Sequence, residues 1–197
     1  DVFASVEAIL KRMQAEAYRV KLPDKPINEV LLERGLVHMT QWAGSQATKQ
    51  HALRIPLRRY RRWYQRLPES LRQQTEQVFG PPPGNLMTAG SDILLAGLEL
   101  GNVLVAIQPS RGVHEDPAKT YHDKALPVHH QYIAFYRYLE EEFDADAVVH
   151  VGTHGTLEFT PGKELALSGQ DAPDALLGAV PHCYLYHVVN ASEAMIA

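Results

Sequence analysis

Cysteine is almost missing from this 197-residue sequence, in which Cys183 stands alone. An internal disulfide is therefore excluded, and so is a zinc site built from several thiolates. No apolar run approaches the roughly 20 residues that a bilayer-spanning helix requires. No Gly-x4-Gly-Lys-Ser/Thr phosphate loop occurs, so the chain is not expected to hydrolyse ATP. Neither sign of charge dominates: 19 Lys and Arg against 23 Asp and Glu leave a net charge of -4. Such a balance supplies no global field for gripping nucleic acid or an anionic membrane. Internal repeats and low-complexity tracts are missing too. What is present, 45% hydrophobic and 21% charged residues, is the composition of a soluble globular protein of a reducing compartment, long enough for a real core. Ten histidines are the one surplus.

The ends and the periodicity suggest organisation. The sequence opens at Asp1 without an initiator Met, and Ser192 is a good N-cap for a helix whose first turn is Glu193–Ala197. The chain is therefore expected to be a piece of a larger one. Apolar residues at Val2, Val6, Ile9, Leu10, Met13 and Ala17 predict a helix within residues 2–20, broken by Pro23 and Pro26. A second helix is expected from an Asn28 N-cap to Gly35. The polar stretch 41–52 is ambiguous. Pro56 suits the first turn of a helix with Leu57, Tyr60, Tyr64 and Leu67 on one face and a solvated arginine face elsewhere. A short helix should follow to Phe79, stopped by Gly80-Pro-Pro-Pro-Gly84, which reads as a rigid linker.

Beyond the linker the pattern becomes mixed. Asp92–Leu95 is a short apolar stretch, Asn102–Ile107 a buried-strand pattern, Gln131–Phe143 a helix, and Ala147–Val151 and Cys183–Val189 two further strands. Strand, helix and strand in that order imply a parallel pair. The fold class expected is α/β: a helical N-terminal part followed by a partly parallel sheet with flanking helices, in a fragment of a larger multidomain chain. Residues 1–84 are expected as a mainly helical segment and 85–197 as an α/β segment carrying the site.

Two clusters are rich in chemistry. In His150-Val-Gly-Thr-His-Gly-Thr-Leu-Glu158 the histidines are four apart, a spacing that binds metal on a helix. Here Val148, Val149 and Val151 favour strand and Gly152 and Gly155 a turn, so the expected picture is a strand ending near Val151 and a glycine turn presenting His154, with Glu158 just beyond. Open α/β sheets place ligands at such carboxyl ends. The plainer alternative has His150 packed in the core and His154 capping the turn. The second cluster is the loop from Arg111 through His114, Tyr121 and His122 to His129 and His130, where histidine, carboxylate and arginine suit a metal or the carboxylates of a ligand. A merely solvated loop is its plain alternative.

Longer strings go further. His150-Val-Gly-Thr-His-Gly-Thr-Leu-Glu-Phe-Thr-Pro-Gly-Lys163, continuing to Leu167-Ser-Gly169, resembles the large subunits of class I tetrapyrrole metal chelatases, the CobN-type cobaltochelatase subunit and the magnesium chelatase H subunit. Gly101–Gly112, Asp116-Pro117, Tyr121-His-Asp123, Leu126-Pro127 and His129–Tyr136 are similar to the same family, as is the run Trp63–Gly84. Tyr121-His-Asp123 and His129–Leu139 favour the cobalt branch, whereas Gly152–Phe159 reads equally well as the magnesium branch.

The resemblance implies a ligase that forms nitrogen–metal bonds, inserting a divalent metal substrate, Co2+ by preference and Mg2+ as the alternative, into a tetrapyrrole. It implies partners, an AAA+ ATPase subunit and its companion, which carry the Mg-ATP. A cytoplasmic location is expected, or the plastid stroma for a plant or algal magnesium enzyme. Glu158, His154 and His150 are implied as catalytic and metal-handling residues, and Arg111, His114, Tyr121, His122, His129 and Lys163 as substrate-binding. The isolated piece should be inactive. A paralogue that binds tetrapyrrole or metal without inserting it is the alternative reading.

Overall fold

Prolines decide where three helices begin. Pro26, Pro56 and Pro68 each sit at an N-cap in extended conformation, immediately before Ile27, Leu57 and Glu69. Proline suits this place because its φ is already set and it has no N–H to lose. In a computed structural model of the protein, residues 2–37, 46–111, 123, 125–152, 155–162 and 166–186 are described, with 46–48, 158 and 186 described by backbone alone. The helices are α1 (Val2–Ala15), α2 (Ile27–Glu33), α3 (Gln46–His51), α4 (Leu57–Tyr64), α5 (Glu69–Phe79), α6 (His130–Glu141) and α7 (Ala172–Leu177). The strands are β1 (Leu53–Ile55), β2 (Thr88–Ala89), β3 (Asp92–Leu95), β4 (Gly97–Glu99), β5 (Leu104–Ala106), β6 (Val148–Gly152) and β7 (His182–Tyr186). Together they form the expected mixed α/β architecture.

Two boundaries differ from the sequence expectation. Helix α1 stops before residue 20 because Ala17 takes a left-handed φ of 64° and Val20 leaves to bridge Gly101. Asn28 lies inside α2 and does not cap it; the Glu7 carboxylate of α1 instead accepts from the Ile27 N–H at 2.8 Å. An acceptor supplied by a neighbouring helix serves as well as a local cap.

Strand β3 is the wall of the core. It pairs antiparallel with β1 on one side and β2 on the other. Side chains alternate across a strand. Accordingly Ile93 and Leu95 enter one apolar cluster, with α4, α6 and α7, while Leu94 and Ala96 enter a second, with α1 and α2. Ile93 and Leu94 are 0% exposed, and burial of each such side chain contributes about 1.5–3 kcal/mol. Helices α4 and α5 share the first of these clusters with α6.

The expected strand at 102–107 is the second arm of a hairpin. β4 and β5 pair antiparallel, Gly97 opposite Ala106 and Glu99 opposite Leu104. At its turn Gly101 has φ 84°, and a Cβ there would lie 2.3 Å from the Arg19 carbonyl oxygen. The parallel pair lies later in the chain: β6 and β7 run in register from Val148–His182 to Gly152–Tyr186. A crossover containing α7 joins them, as a parallel connection demands.

Helix α6 is the hub. Every residue from His130 to Leu139 is buried, so each polar tip must find a partner inside the protein. Gln131 donates to the Leu94 carbonyl at 2.9 Å and the Tyr138 hydroxyl to Glu99 at 2.6 Å. Arg137 pairs with Glu140 and Glu141 of its own helix. The arginines of α4 and the residues after it are mostly solvated: Arg58, Arg61, Arg62 and Arg66 are exposed, Arg66 pairing with Glu141, and the half-buried Arg59 pairs with Glu142. Burial alone would raise the Glu141 carboxyl; hydrogen bonds from Arg66 and Arg137 hold it below the ordinary range.

Candidate active site

The strand expected from the valine run is β6, and beyond its carboxyl end come Gly155, Thr156 and the 3-10 turn Leu157–Phe159. The strand runs one residue past Val151, to Gly152, and His154 lies outside the described residues. His150 is half-buried on the strand, its ring stacked on Tyr184 of β7 with centroids 4.3 Å apart and planes 7° from parallel. The ring of His182 stands 6.0 Å away, its pKa lowered by burial. Gly155 returns the chain over this stack: a Cβ there would meet His150 Cε1 at 3.1 Å and Tyr184 Cε2 at 3.4 Å. The small residue lets the turn close on the imidazole.

Thr156 then ties the turn to two other elements. Its backbone N–H donates to Gln108 Oε1 at 2.8 Å, and its hydroxyl donates to the Pro109 carbonyl at 3.0 Å. The same hydroxyl accepts from Tyr132 at 3.0 Å. Gln108 Nε2 donates to the Tyr136 hydroxyl at 2.6 Å. Burial pushes both tyrosine pKa values up, so the phenols stay protonated. Leu157 is buried in the main apolar cluster and opens a 3-10 turn, Leu157–Phe159, closed by Thr160, whose hydroxyl donates to the Leu157 carbonyl at 2.6 Å. Glu158 occupies the middle of that turn.

The long loop before α6 is closed at its neck. Arg111 is 1% exposed and donates from Nη2 to the carbonyls of Asp123 at 3.3 Å and Leu126 at 2.5 Å. His129 donates from Nε2 to the Ser110 carbonyl at 2.8 Å, while its Nδ1 accepts the Tyr132 N–H as the N-cap of α6 at 3.2 Å. Burial lowers the His129 pKa to about 4, so the ring is neutral. Arg111 and His129, expected from sequence to contact substrate, are thus turned inward onto backbone carbonyls and hold the two ends of the loop together. His130, next in sequence, is equally internal: it accepts from the Tyr60 hydroxyl at 2.8 Å and donates to the Gly80 carbonyl at 2.8 Å.

His114, Tyr121, His122 and Lys163 lie outside the described residues, as does the side chain of Glu158. Among the described residues no three His, Cys, Asp or Glu side chains converge as a metal site. A cavity of about 450 Å³ between α4, α6 and α7 is lined by Trp63, Arg66, Arg137 and Glu141. Its arginines are spent on the Glu141 carboxylate, and it lacks the residues of the β6 end. Gln108, Thr156, Tyr132 and Tyr136 lie within the family-like strings but received no role from sequence; the structure makes them candidates. The signal for the tyrosines was available: hydroxyls four residues apart on an apolar helix require internal partners.

Comparison with known proteins sets this geometry in a lineage. The family model described as CobN/Magnesium Chelatase matches residues 1–197. The magnesium-chelatase H subunit of Chlorobaculum parvum is 40% identical over 199 residues, covering 100% of this chain and 15% of that protein. The aerobic cobaltochelatase CobN subunit of Pseudomonas aeruginosa is 44% identical over 130 residues, 66% of this chain and 10% of that one. Among solved structures, the catalytic subunit of cobaltochelatase from Mycobacterium tuberculosis superposes with a TM-score of 0.75 at 36% identity, covering 96% of this chain and 16% of that chain. The chain thus spans about 15% of the length of the Chlorobaculum protein it matches. With a family model spanning its whole length and a solved cobaltochelatase subunit matching 96% of it in fold, this chain belongs to the CobN/magnesium-chelatase family.

Proposed function

We propose that this chain forms part of the tetrapyrrole-binding active site of a chelatase large subunit, which inserts a divalent metal into a tetrapyrrole. The observation that carries the reading is the anchored turn after β6, where Glu158 follows Thr156 and Leu157, in a chain of this family. Insertion exchanges two pyrrole protons for one M2+ ion, so the site needs groups that accept protons and groups that take the ion from water. Glu158 as an ionised carboxylate accepts one of the two protons, and an imidazole of His154 or His150 accepts the other once it has handed over the metal substrate. Lys163 offsets charge at the carboxylate or meets a propionate of the ring.

Cobalt is the metal we favour, supported by the loop and helix strings that resemble CobN. Magnesium into protoporphyrin IX is the second reading, favoured by the match along the whole chain to a magnesium-chelatase large subunit. In both, an AAA+ ATPase and its companion subunit carry the Mg-ATP, and the cytoplasm, or the plastid stroma for the magnesium branch, is the setting.

The test uses the intact large subunit with its ATPase partners and Mg-ATP, following absorbance. Co2+ with a metal-free corrinoid precursor and Mg2+ with protoporphyrin IX are compared side by side. Insertion of one pair, with His154→Ala impaired most at low metal, is expected. Tight tetrapyrrole binding without insertion of either metal would replace this reading by that of a binding paralogue.

A further inference from the structure

We infer that Thr156, held by Gln108 and Tyr132, is a positioning residue for Glu158, fixing the turn that carries this carboxylate before the tetrapyrrole arrives. The inference rests on the proton-accepting role proposed for Glu158.

Four hydrogen bonds meet in this small space: Thr156 N–H to Gln108, Thr156 hydroxyl to Pro109, Tyr132 hydroxyl to Thr156, and Gln108 to Tyr136. They join three separate parts of the chain, the segment after β5, helix α6 and the turn after β6. The anchoring continues on the other side of Thr156. Leu157 is locked in the apolar cluster, and the Phe159 and Thr160 N–H groups return to the carbonyls of Thr156 and Leu157 at 3.3 and 3.1 Å. Glu158 is thus flanked on both sides by residues whose backbone is already committed.

Chain fixation alone does not require so polar a device. The network is half-buried at Gln108 and Thr156 and rooted in the buried Tyr132 and Tyr136; its hydrogen bonds are directional, and a set of them meeting at one residue favours one geometry. A base that must meet a pyrrole N–H within hydrogen-bond reach gains from that directionality. A misplacement of about 1 Å at a reacting group can cost on the order of 100-fold in rate. The rigid α6, buried along ten residues, is a suitable anchor for Tyr132.

The test is a double-mutant cycle in the intact large subunit, assayed with its ATPase partners, Mg-ATP and whichever metal and tetrapyrrole pair the wild type inserts. Thr156→Val keeps the shape and removes the hydroxyl. Its kcat should fall about 10- to 100-fold while tetrapyrrole affinity, read by fluorescence quenching, changes less than about twofold. Thr156→Ser should restore most of the loss. In a Glu158→Gln background the same Thr156→Val substitution should cost little further, because a positioning residue has nothing left to position. If the two losses multiply, or if Thr156→Val turns over at the wild-type rate, the inference is overturned. Wild-type turnover by Glu158→Gln alone would instead remove the underlying role of the carboxylate, a separate and distinguishable result. Should Thr156→Val fail to fold, Tyr132→Phe reads the same coupling through loss of one hydroxyl, with an expected fall of about three- to tenfold.

Discussion

His129 spends both ring nitrogens on backbone, one as donor to Ser110 and one as acceptor at the head of α6. Only the neutral ring with its proton on Nε2 can do both, since the imidazolium has no acceptor. Its pKa is lowered from 6.5 to about 4 by burial. A histidine depressed in the folded state favours folding fully above its unfolded value, and that contribution drains as pH falls from about 6.5 to about 4. By linkage the loss amounts to about 3 kcal/mol from this group, and His130, also lowered by burial, acts in the same direction. Urea unfolding midpoints should therefore decline across this window, before the Glu141 pairing with Arg66 and Arg137 is lost at lower pH. His129→Asn should be less stable at pH 7 and show a flatter decline. An unchanged slope would remove His129 as its cause. In the sequence His129 looks like a ligand, because a histidine in a polar loop and a histidine capping a helix are the same letter. The residue type gives no burial, and the carbonyl of Ser110, 19 positions away, is brought near only by the fold.

The hairpin of β4 and β5 shows what short elements conceal. Three residues per strand are too few to display a period of two, so Asn102–Ile107 reads as one buried strand and β1 is not visible at all. Longer elements were legible: α6, β6 and β7 are long enough and apolar enough to declare themselves. Gly101 is where the hairpin is most vulnerable. Its φ of 84° is costly for any L side chain, and the Arg19 carbonyl fills the space a Cβ needs. That carbonyl also accepts from the Asn102 N–H at 2.9 Å, so it is not free to move aside. Gly101→Ala should lower stability by more than about 1 kcal/mol in urea unfolding. The loss should be accompanied by weakened packing of the α1 end, which Val20 joins to this turn. A variant as stable as the wild type would contradict the strained geometry.

At the scale of the whole molecule, two apolar clusters share the wall formed by β3, and the β6 end is held against α6 by polar contacts. The catalytic reading needs this rigidity in one place, the turn of Glu158. Motif strings pointed to His150, His154 and Glu158; the described backbone gives β6 up to Gly152 and a 3-10 turn at Leu157–Phe159, and His154 lies outside the described residues. The same strings contain Gln108 and Tyr132 but give them no role, because their contacts reach across 48 and 24 positions of sequence. Glu158→Gln keeps the size of the side chain and removes its basicity, which makes it the sharpest probe. The decisive measurement is absorbance-followed metal insertion by the intact large subunit with its ATPase partners, wild type against Glu158→Gln, with tetrapyrrole binding measured in parallel. Retained binding with turnover reduced by about 100-fold or more, the scale for losing a general base, is the predicted result. Wild-type turnover in Glu158→Gln would contradict it.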